Sequence, residues 1–96
     1  MQILGKDIID DFKGKHADSR KALDRWVKLI EGAHFVTPQD IRQLFGSKAD
    51  IVGHQTVFDV GGNKIRTITK IEFGAKIVLV THVLTHQEYD MGKWKE

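Results

Sequence analysis

A cluster of ionisable side chains, THQEYD, occupies residues 85–90 and closes the apolar segment KIVLVTHVL. A histidine, carboxylates and a phenol placed so closely can accept, donate and orient protons near neutral pH. On a helix, residues 86, 89 and 90 share one face because they stand at i, i+3 and i+4. The spacing predicts that Asp90 holds or polarises His86 and that the hydroxyl of Tyr89 lies beside both. These three residues are candidates for chemistry.

Part of the cluster also has a purely structural interpretation. Thr85 and Glu88 form a capping-box pattern, in which the threonine oxygen accepts from a backbone N–H and the glutamate reaches back to the cap. This pattern predicts a short C-terminal helix carrying Tyr89 and Trp94, and it explains Thr85 and Glu88 without any function. In the same interpretation Tyr89 is a packing aromatic residue with its hydroxyl in water.

The histidines do not predict a metal site. His82 and His86 have the spacing of two ligands on one helical turn. Residue 82 lies in a predicted strand, however, where four residues span roughly 13 Å, too far for two imidazoles on one ion. The remaining histidines are scattered, and neither a P-loop nor a GxGxxG fingerprint is present. We therefore expect no metal and no cofactor.

Length and composition indicate one domain covering residues 1–96, with 41% hydrophobic and 29% charged residues. No apolar stretch reaches the roughly 18–20 residues that span a bilayer, and the N-terminus lacks the pattern of a signal peptide. The absence of cysteine suits a reducing cytoplasm, where we expect the protein to lie. A net charge of +2 and a pI near 9.0 permit an anionic partner without requiring one.

The elements that must position the cluster follow from periodicity. QIL (2–4) is a short strand, and the apolar spacing then changes to that of helices, the third of which begins with the capped turn TPQD. Strands are predicted at 54–60, 64–73 and 76–84, joined by the tight turns VGGNK and FGAK. The predicted fold is α+β: a small antiparallel sheet with an N-terminal strand, two to three helices on one face, a C-terminal three-stranded meander and a short final helix. The other face of the sheet is expected to be free for binding.

The middle strand of the meander places Arg66 and Lys70 on that second face. Two cations there fit an anionic ligand, although the solvated side of an ordinary strand explains them equally well. If Gly74-Ala75 is a two-residue loop, the register predicts Thr81 opposite Ile68 and Val83 opposite Arg66. A three-residue loop brings His82 beside Ile68 instead. We prefer the first register.

Two sequence words then point to a family. The segment VFDVGGNKIRTITKIEF (57–73), with its GNKxR word at 62–66, and THxEYD at 85–90 resemble the HigB group of bacterial type II toxins, which are mRNA interferases of the RelE superfamily. The opening strand, the helix around Trp26 and TPQDIRQLF match the order of elements in that group. The resemblance covers essentially the whole chain and implies a RelE-like fold.

The resemblance implies a ribonuclease that cuts translated mRNA, often on the ribosome, and is neutralised by HigA, a helix-turn-helix antitoxin. The cleavage is expected to need no metal, with a base for the 2′-hydroxyl, cations for the phosphorane and an acid for the leaving oxygen. Arg66 is expected to bind the phosphate, and His86 to transfer a proton while Asp90 orients its ring. Tyr89 is expected to stack on a base or to donate a hydrogen bond to the phosphate. Which group is base and which is acid stays open. The expected RNA-binding residues are Asn63, Lys64, Lys70 and His82.

The last strand departs from the pattern of the group. Its members often carry an arginine in the last strand, four to five residues before THxEYD, where this chain has Thr81 and His82. The departure leaves room for a second class of function, an RNA- or ribosome-binding module that inhibits translation without cutting. A third class is a pure partner module that docks another protein.

Overall fold

A computed structural model of the chain describes residues 1–62 and 64–95 and contains a five-stranded sheet in the order β1-β5-β4-β3-β2. The predicted α+β class is confirmed. The helices and strands, in chain order, are β1 (Gln2–Leu4), α1 (Lys6–Lys15), α2 (Arg20–Glu31), α3 (Pro38–Phe45), β2 (Ala49–Val52), β3 (Gln55–Val60), β4 (Ile65–Glu72), β5 (Ile77–Thr85) and α4 (His86–Asp90). None of the helices in this part of the chain is long and apolar enough to cross a membrane.

The first three helices cover one face of the sheet, as predicted. In α2 the apolar spacing places Leu23, Trp26 and Ile30 toward the sheet, and all three are buried. The ring of Trp26 meets that of Phe58 on β3 edge-on, with ring centroids 5.4 Å apart. Helix α3 begins at the predicted cap, where the carboxylate of Asp40 accepts from the backbone N–H groups that precede the helix. This main core also receives the alternate side chains of β4 and β5.

The sheet is mixed rather than purely antiparallel. Strand β1 runs parallel to β5, and a fifth strand, β2, precedes the predicted meander. Strand β2 pairs with β3 through a tight turn at Gly53, whose φ is 61°. Only four residues form β2, too few for their period to stand out from the sequence around them.

Gly5 allows the chain to turn from β1 into α1. Its φ is 90°, and a Cβ atom there would lie 2.4 Å from the carbonyl oxygen of Val80 on β5. Both observations require glycine, because other residues rarely adopt this conformation and have a Cβ atom that would overlap the neighbouring strand.

The preferred register between β4 and β5 is wrong beyond Thr69. The two-residue turn itself is confirmed, since the N–H of Lys76 donates to the carbonyl of Phe73 at 3.2 Å. Thr69 pairs with Val80, but Ile68 then pairs with His82. One extra residue, Thr81, is inserted as a β-bulge, and the bulge exchanges the faces of the residues after it.

The second face of the sheet is not free near Arg66, contrary to our expectation. Trp94 packs against it and forms a second, smaller core with Val57 and Ile68, which are also buried. The side-chain amide of Gln55 donates to the carbonyl of Trp94 at 3.2 Å and ties this segment to β3. The cover exists because Ile68 and Val57 leave an apolar surface that a single tryptophan can bury.

Candidate functional site

Helix α4 is started by the predicted capping box. The backbone N–H of Thr85 donates to the carboxylate of Glu88 at 3.0 Å, and the N–H of Glu88 donates to the hydroxyl of Thr85 at 3.2 Å. The first of these bonds lowers the pKa of Glu88 below its ordinary value of 4.5. The N–H of His86 donates to the carbonyl of Lys64 at 3.0 Å, so the start of α4 is also fixed to the turn before β4.

His86 and Asp90 form the pair that their spacing predicts. Nδ1 of His86 lies 3.2 Å from a carboxylate oxygen of Asp90, and the two side chains are 50% and 61% exposed. A carboxylate at this distance fixes the orientation of the imidazole and favours a proton on Nδ1, which leaves Nε2 for a ligand. The exposure of both groups means that a ligand can reach them from solvent.

Arg66 is buried, with 7% of its surface exposed. The expectation that it lies on an open sheet surface is therefore wrong. Its Nε lies 3.0 Å from a carboxylate oxygen of Asp59, and its guanidinium lies 5.2 Å from the ring centroid of Tyr89. Asp59 is a residue that the sequence analysis missed. Counting across the Gly-Gly turn would have found it, because Asp59 and Arg66 are directly paired residues of β3 and β4.

Tyr89 is a packing aromatic residue, and its hydroxyl can also serve as a hydrogen-bond donor. Its ring stacks on Trp94, with centroids 4.8 Å apart and an interplanar angle of 12°, and the indole N–H of Trp94 donates to the Tyr89 carbonyl at 2.8 Å. Burial raises the pKa of the Tyr89 hydroxyl above its ordinary value of 10.0, Asp50 raises it further, and Arg66 opposes both. The hydroxyl therefore stays protonated near neutral pH and can donate a hydrogen bond.

The expected RNA-binding residues lie at different distances from Arg66 and helix α4. Lys64 is exposed beside the start of α4. Lys70 lies four residues beyond Arg66 on the same face, opposite Leu79, so its Cα is roughly 13 Å from that of Arg66. Asn63 lies outside the described residues.

His82 also lies on the Arg66 face, because of the bulge at Thr81. It does not join the His86–Asp90 pair. It lines a separate cavity of about 310 Å³ at the other flank of α4, together with Leu84, Glu88, Met91, Lys93 and Trp94. Within residues 1–62 and 64–95, no three histidine, aspartate or glutamate side chains come together as metal ligands would.

The arrangement joins a fixed guanidinium to proton-transfer groups on one short helix. Helix α4 carries Tyr89, over which Arg66 lies, and the His86–Asp90 pair. An arginine held in this way can bind phosphate oxygens in pairs, and an imidazole near neutral pH can move a proton. Such a site suits a reaction at a phosphodiester.

Comparisons with known proteins identify the same class. The family model described as "HigB_toxin, RelE-like toxic component of a toxin-antitoxin system" matches residues 19–92. The chain is 32% identical over 92 residues to the mRNA interferase HigB of Escherichia coli O6:H1, an alignment that covers 94% of this chain and 89% of the relative. It is 25% identical to the mRNA interferase toxin HigB of Escherichia coli K12 and to mRNA interferase HigB of Shigella flexneri, over 94% of this chain and 88% of each relative.

The protein is thus a RelE-like toxic component of a toxin–antitoxin system. Within that class, the chain belongs to the HigB toxin family, and the resemblance found in the sequence is confirmed. The match begins at residue 19 and includes both the turn before β4 and the THQEYD segment.

Proposed function

We propose that the protein is a metal-independent endoribonuclease that cuts mRNA on the ribosome and so inhibits translation. The observation that carries this proposal is that one short helix, α4, supplies both the His86–Asp90 pair and the ring of Tyr89, against which Arg66 is held. The relatives are named as mRNA interferases, which supports the same substrate.

The proposed reaction uses the 2′-hydroxyl of the RNA as nucleophile. A base takes its proton, the 2′-oxygen bonds to phosphorus, and the bond from phosphorus to the 5′-oxygen breaks as that oxygen receives a proton. Arg66 stabilises the negative charge on the phosphorane oxygens, and His86 takes part in proton transfer with Asp90 holding its ring. The protonated hydroxyl of Tyr89 donates to the phosphate. Lys64, Lys70 and, outside the described residues, Asn63 bind neighbouring nucleotides.

The remaining parts of the proposal concern partners and place. The description of the family supports an antitoxin partner, and we propose a HigA-type helix-turn-helix protein in that role. A net charge of only +2 supports a substrate delivered by the ribosome, because affinity for free RNA depends mainly on phosphate contacts. We place the reaction in the cytoplasm, where translated mRNA is found.

A second candidate function is translation inhibition by binding alone. The observation that favours it is that Arg66 is already paired with Asp59, and that Thr81 stands where relatives of this group often have another arginine. Primer extension on cellular mRNA after induction separates the two functions. A nuclease creates new 5′ ends, whereas a non-cleaving binder leaves the ends unchanged.

The direct test is cleavage of ribosome-bound mRNA, in the Mg²⁺ buffer that keeps the ribosome assembled, by protein that has first been stripped of any bound metal with EDTA. Cleavage is expected to survive this treatment, to leave 5′-hydroxyl ends, and to fall by about 10²-fold or more in His86→Ala, because general acid–base groups contribute this much. The matched control is His34→Ala, which alters an exposed histidine between α2 and α3 and should leave the rate unchanged.

Arg66 needs a conservative variant because its side chain is buried. Arg66→Lys keeps the charge but loses the planar fork, and it is expected to slow cleavage strongly while the protein still unfolds cooperatively. Parental cleavage rates in both His86→Ala and Arg66→Lys would contradict the assignment of the site. Loss of parental cleavage after the EDTA treatment of the protein, or 5′-phosphate ends in place of 5′-hydroxyl ends, would contradict metal independence.

A further inference from the structure

The β-bulge at Thr81 brings its hydroxyl to two polar neighbours at once, the carbonyl of Ile68 and the imidazole of His82. The hydroxyl of Thr81 lies 3.1 Å from the carbonyl oxygen of Ile68 and 2.9 Å from Nδ1 of His82. A hydroxyl has one proton to donate and two lone pairs that accept. A carbonyl oxygen can only accept, so the Thr81 proton must point to Ile68 if that contact is a hydrogen bond.

The second contact is then a hydrogen bond only if Nδ1 of His82 carries the proton. In the alternative, Thr81 donates to the imidazole and two acceptor oxygens face each other at 3.1 Å without a proton between them. Both contacts are therefore satisfied in one arrangement, with Nδ1–H donating to Thr81. In a neutral imidazole this leaves Nε2 unprotonated and able to accept a proton.

The bulge also places His82 close to the proposed phosphate-binding residue. Ile68 pairs with His82 and Arg66 pairs with Leu84, so His82 and Arg66 are diagonal neighbours on one sheet face. Diagonal neighbours have Cβ atoms about 7–8 Å apart or less, a distance that long side chains bridge. Without the extra residue, His82 would project toward the main core.

The cavity beside His82 has room for a nucleotide fragment. It measures about 310 Å³, and its lining includes Lys93, Trp94 and the partly covered side chain of His82. A lysine at the rim supplies a positive charge for a phosphate oxygen, and the volume is that of a small ligand pocket. Glu88 also lines the cavity, but its carboxylate is engaged in the cap of α4.

We propose that His82 is the general base of the cleavage reaction and that Thr81 is the positioning residue that sets its tautomer. This inference rests on the proposed nuclease function. Nε2 of His82 takes the proton of the 2′-hydroxyl, the 2′-oxygen bonds to phosphorus, and the bond to the 5′-oxygen breaks. For the leaving oxygen to receive a proton, His86 on the other flank of α4 must start protonated on both ring nitrogens, and its Nε2–H then donates that proton. The products are a 2′,3′-cyclic phosphate and a 5′-hydroxyl, and no oxidant or other co-reactant is needed.

The tautomer can be measured without any RNA. Two-dimensional ¹⁵N–¹H correlation spectra of the imidazole groups, recorded at a pH where His82 is neutral, distinguish protonated Nδ1 from protonated Nε2. We expect Nδ1–H in the parent and in Thr81→Ser, which keeps the hydroxyl. In Thr81→Val, which has the same shape without it, the signal should move toward Nε2–H. An Nε2–H tautomer in the parent would overturn the proposal.

The catalytic role is tested by single-turnover cleavage of ribosome-bound mRNA with the EDTA-stripped protein. His82→Asn keeps a donor near the position of Nδ1 but removes the base, and it should lower the rate about 10²-fold or more. Thr81→Val should lower the rate as well, and Thr81→Ser should restore it. If the parent cleaves and His82→Asn cleaves equally fast, the role of His82 is refuted. If the parent does not cleave at all, the nuclease function itself fails, and the tautomer result still stands or falls by its own measurement.

Discussion

At the scale of single residues, the surroundings of Arg66 decide how the site can work. The guanidinium meets the carboxylate of Asp59, the ring of Tyr89 and, at 3.3 Å, the carbonyl of Ile65. These contacts hold the guanidinium in place before any ligand binds, which lowers the entropic cost of ordering the Arg66 side chain on binding. In the proposed reaction the phosphate must therefore compete with Asp59 for the same cation. Arg66 is thus preorganised but partly neutralised.

Glu88 gives a pH-dependent prediction at this scale. Its pKa is lowered in the folded protein, chiefly by the hydrogen bond from the N–H of Thr85, so protons bind the unfolded chain more readily than the folded one. Its stabilising effect is complete above the ordinary pKa of 4.5 and is lost as pH falls through the folded pKa. Glu88→Gln should therefore unfold more easily than the parent at pH 7.

The measurement is urea unfolding of both proteins between pH 7 and pH 3. The difference in the free energy of unfolding should shrink as Glu88 becomes protonated, because a neutral carboxyl and an amide are then similar caps. A difference that stays constant over this range would contradict the role of the Glu88 charge. Asp40→Asn provides a comparison at α3, where the carboxylate caps the helix in the same way.

What the sequence predicts at this scale is what depends on near neighbours. The cap of Thr85 and Glu88 and the pair of His86 and Asp90 were predicted because each lies within one helical turn. The burial of Arg66 was not predicted, because it depends on contacts with β3 and on the C-terminal segment that covers the second face.

At the scale of helices and strands, the features that the sequence did not predict are those that interrupt a regular spacing of apolar residues or join distant segments. The turns of the meander and its strands follow from glycine placement and alternation, and the structure contains them. The bulge at Thr81 was not predicted because KIVLVTHVL is apolar at most of its positions, so an inserted residue interrupts no alternation of apolar and polar residues. The parallel pairing of β1 with β5 was missed because it joins segments far apart in the chain.

Gly5 provides a prediction for the connection between β1 and α1. Gly5→Ala should lower the free energy of unfolding by about 1–3 kcal/mol, because it combines an unfavourable φ with a contact to the Val80 carbonyl that cannot be relieved easily. The control is Gly14→Ala in the last turn of α1, where an added Cβ meets nothing within 4 Å. That variant should be neutral or more stable, since alanine favours helices. Equal effects at the two positions would contradict this account of the turn.

At the scale of the whole molecule, the sheet separates two cores of unequal size. The main core lies under α1, α2 and α3, and the smaller one depends on Trp94, which is 4% exposed. The smaller core lies directly beneath the candidate site, because Tyr89 stacks on the same tryptophan. We therefore expect stability and the proposed cleavage to be coupled through one side chain.

Trp94→Ala tests this coupling. Removing a buried tryptophan should lower the free energy of unfolding by about 3–5 kcal/mol, and it should also reduce cleavage, because Tyr89 loses its stacking partner. Urea unfolding and the cleavage assay measure the two effects. Val36→Ala, at a side chain that is 74% exposed, should change neither. A Trp94→Ala protein as stable as the parent would contradict the existence of the second core.

The pairing of β1 with β5 has a consequence for synthesis of the protein. A ribosome synthesises β1 and the three following helices before it makes residues 77–79, which are the partners of β1. Any nascent chain that stops earlier lacks β5, which is hydrogen-bonded to both β1 and β4, and lacks α4 with its proton-transfer groups. If the finished enzyme cut its own message within the coding region, the interrupted products would be harmless fragments. The order of strands thus means that a chain stopped before residue 77 can complete neither the sheet nor the candidate site.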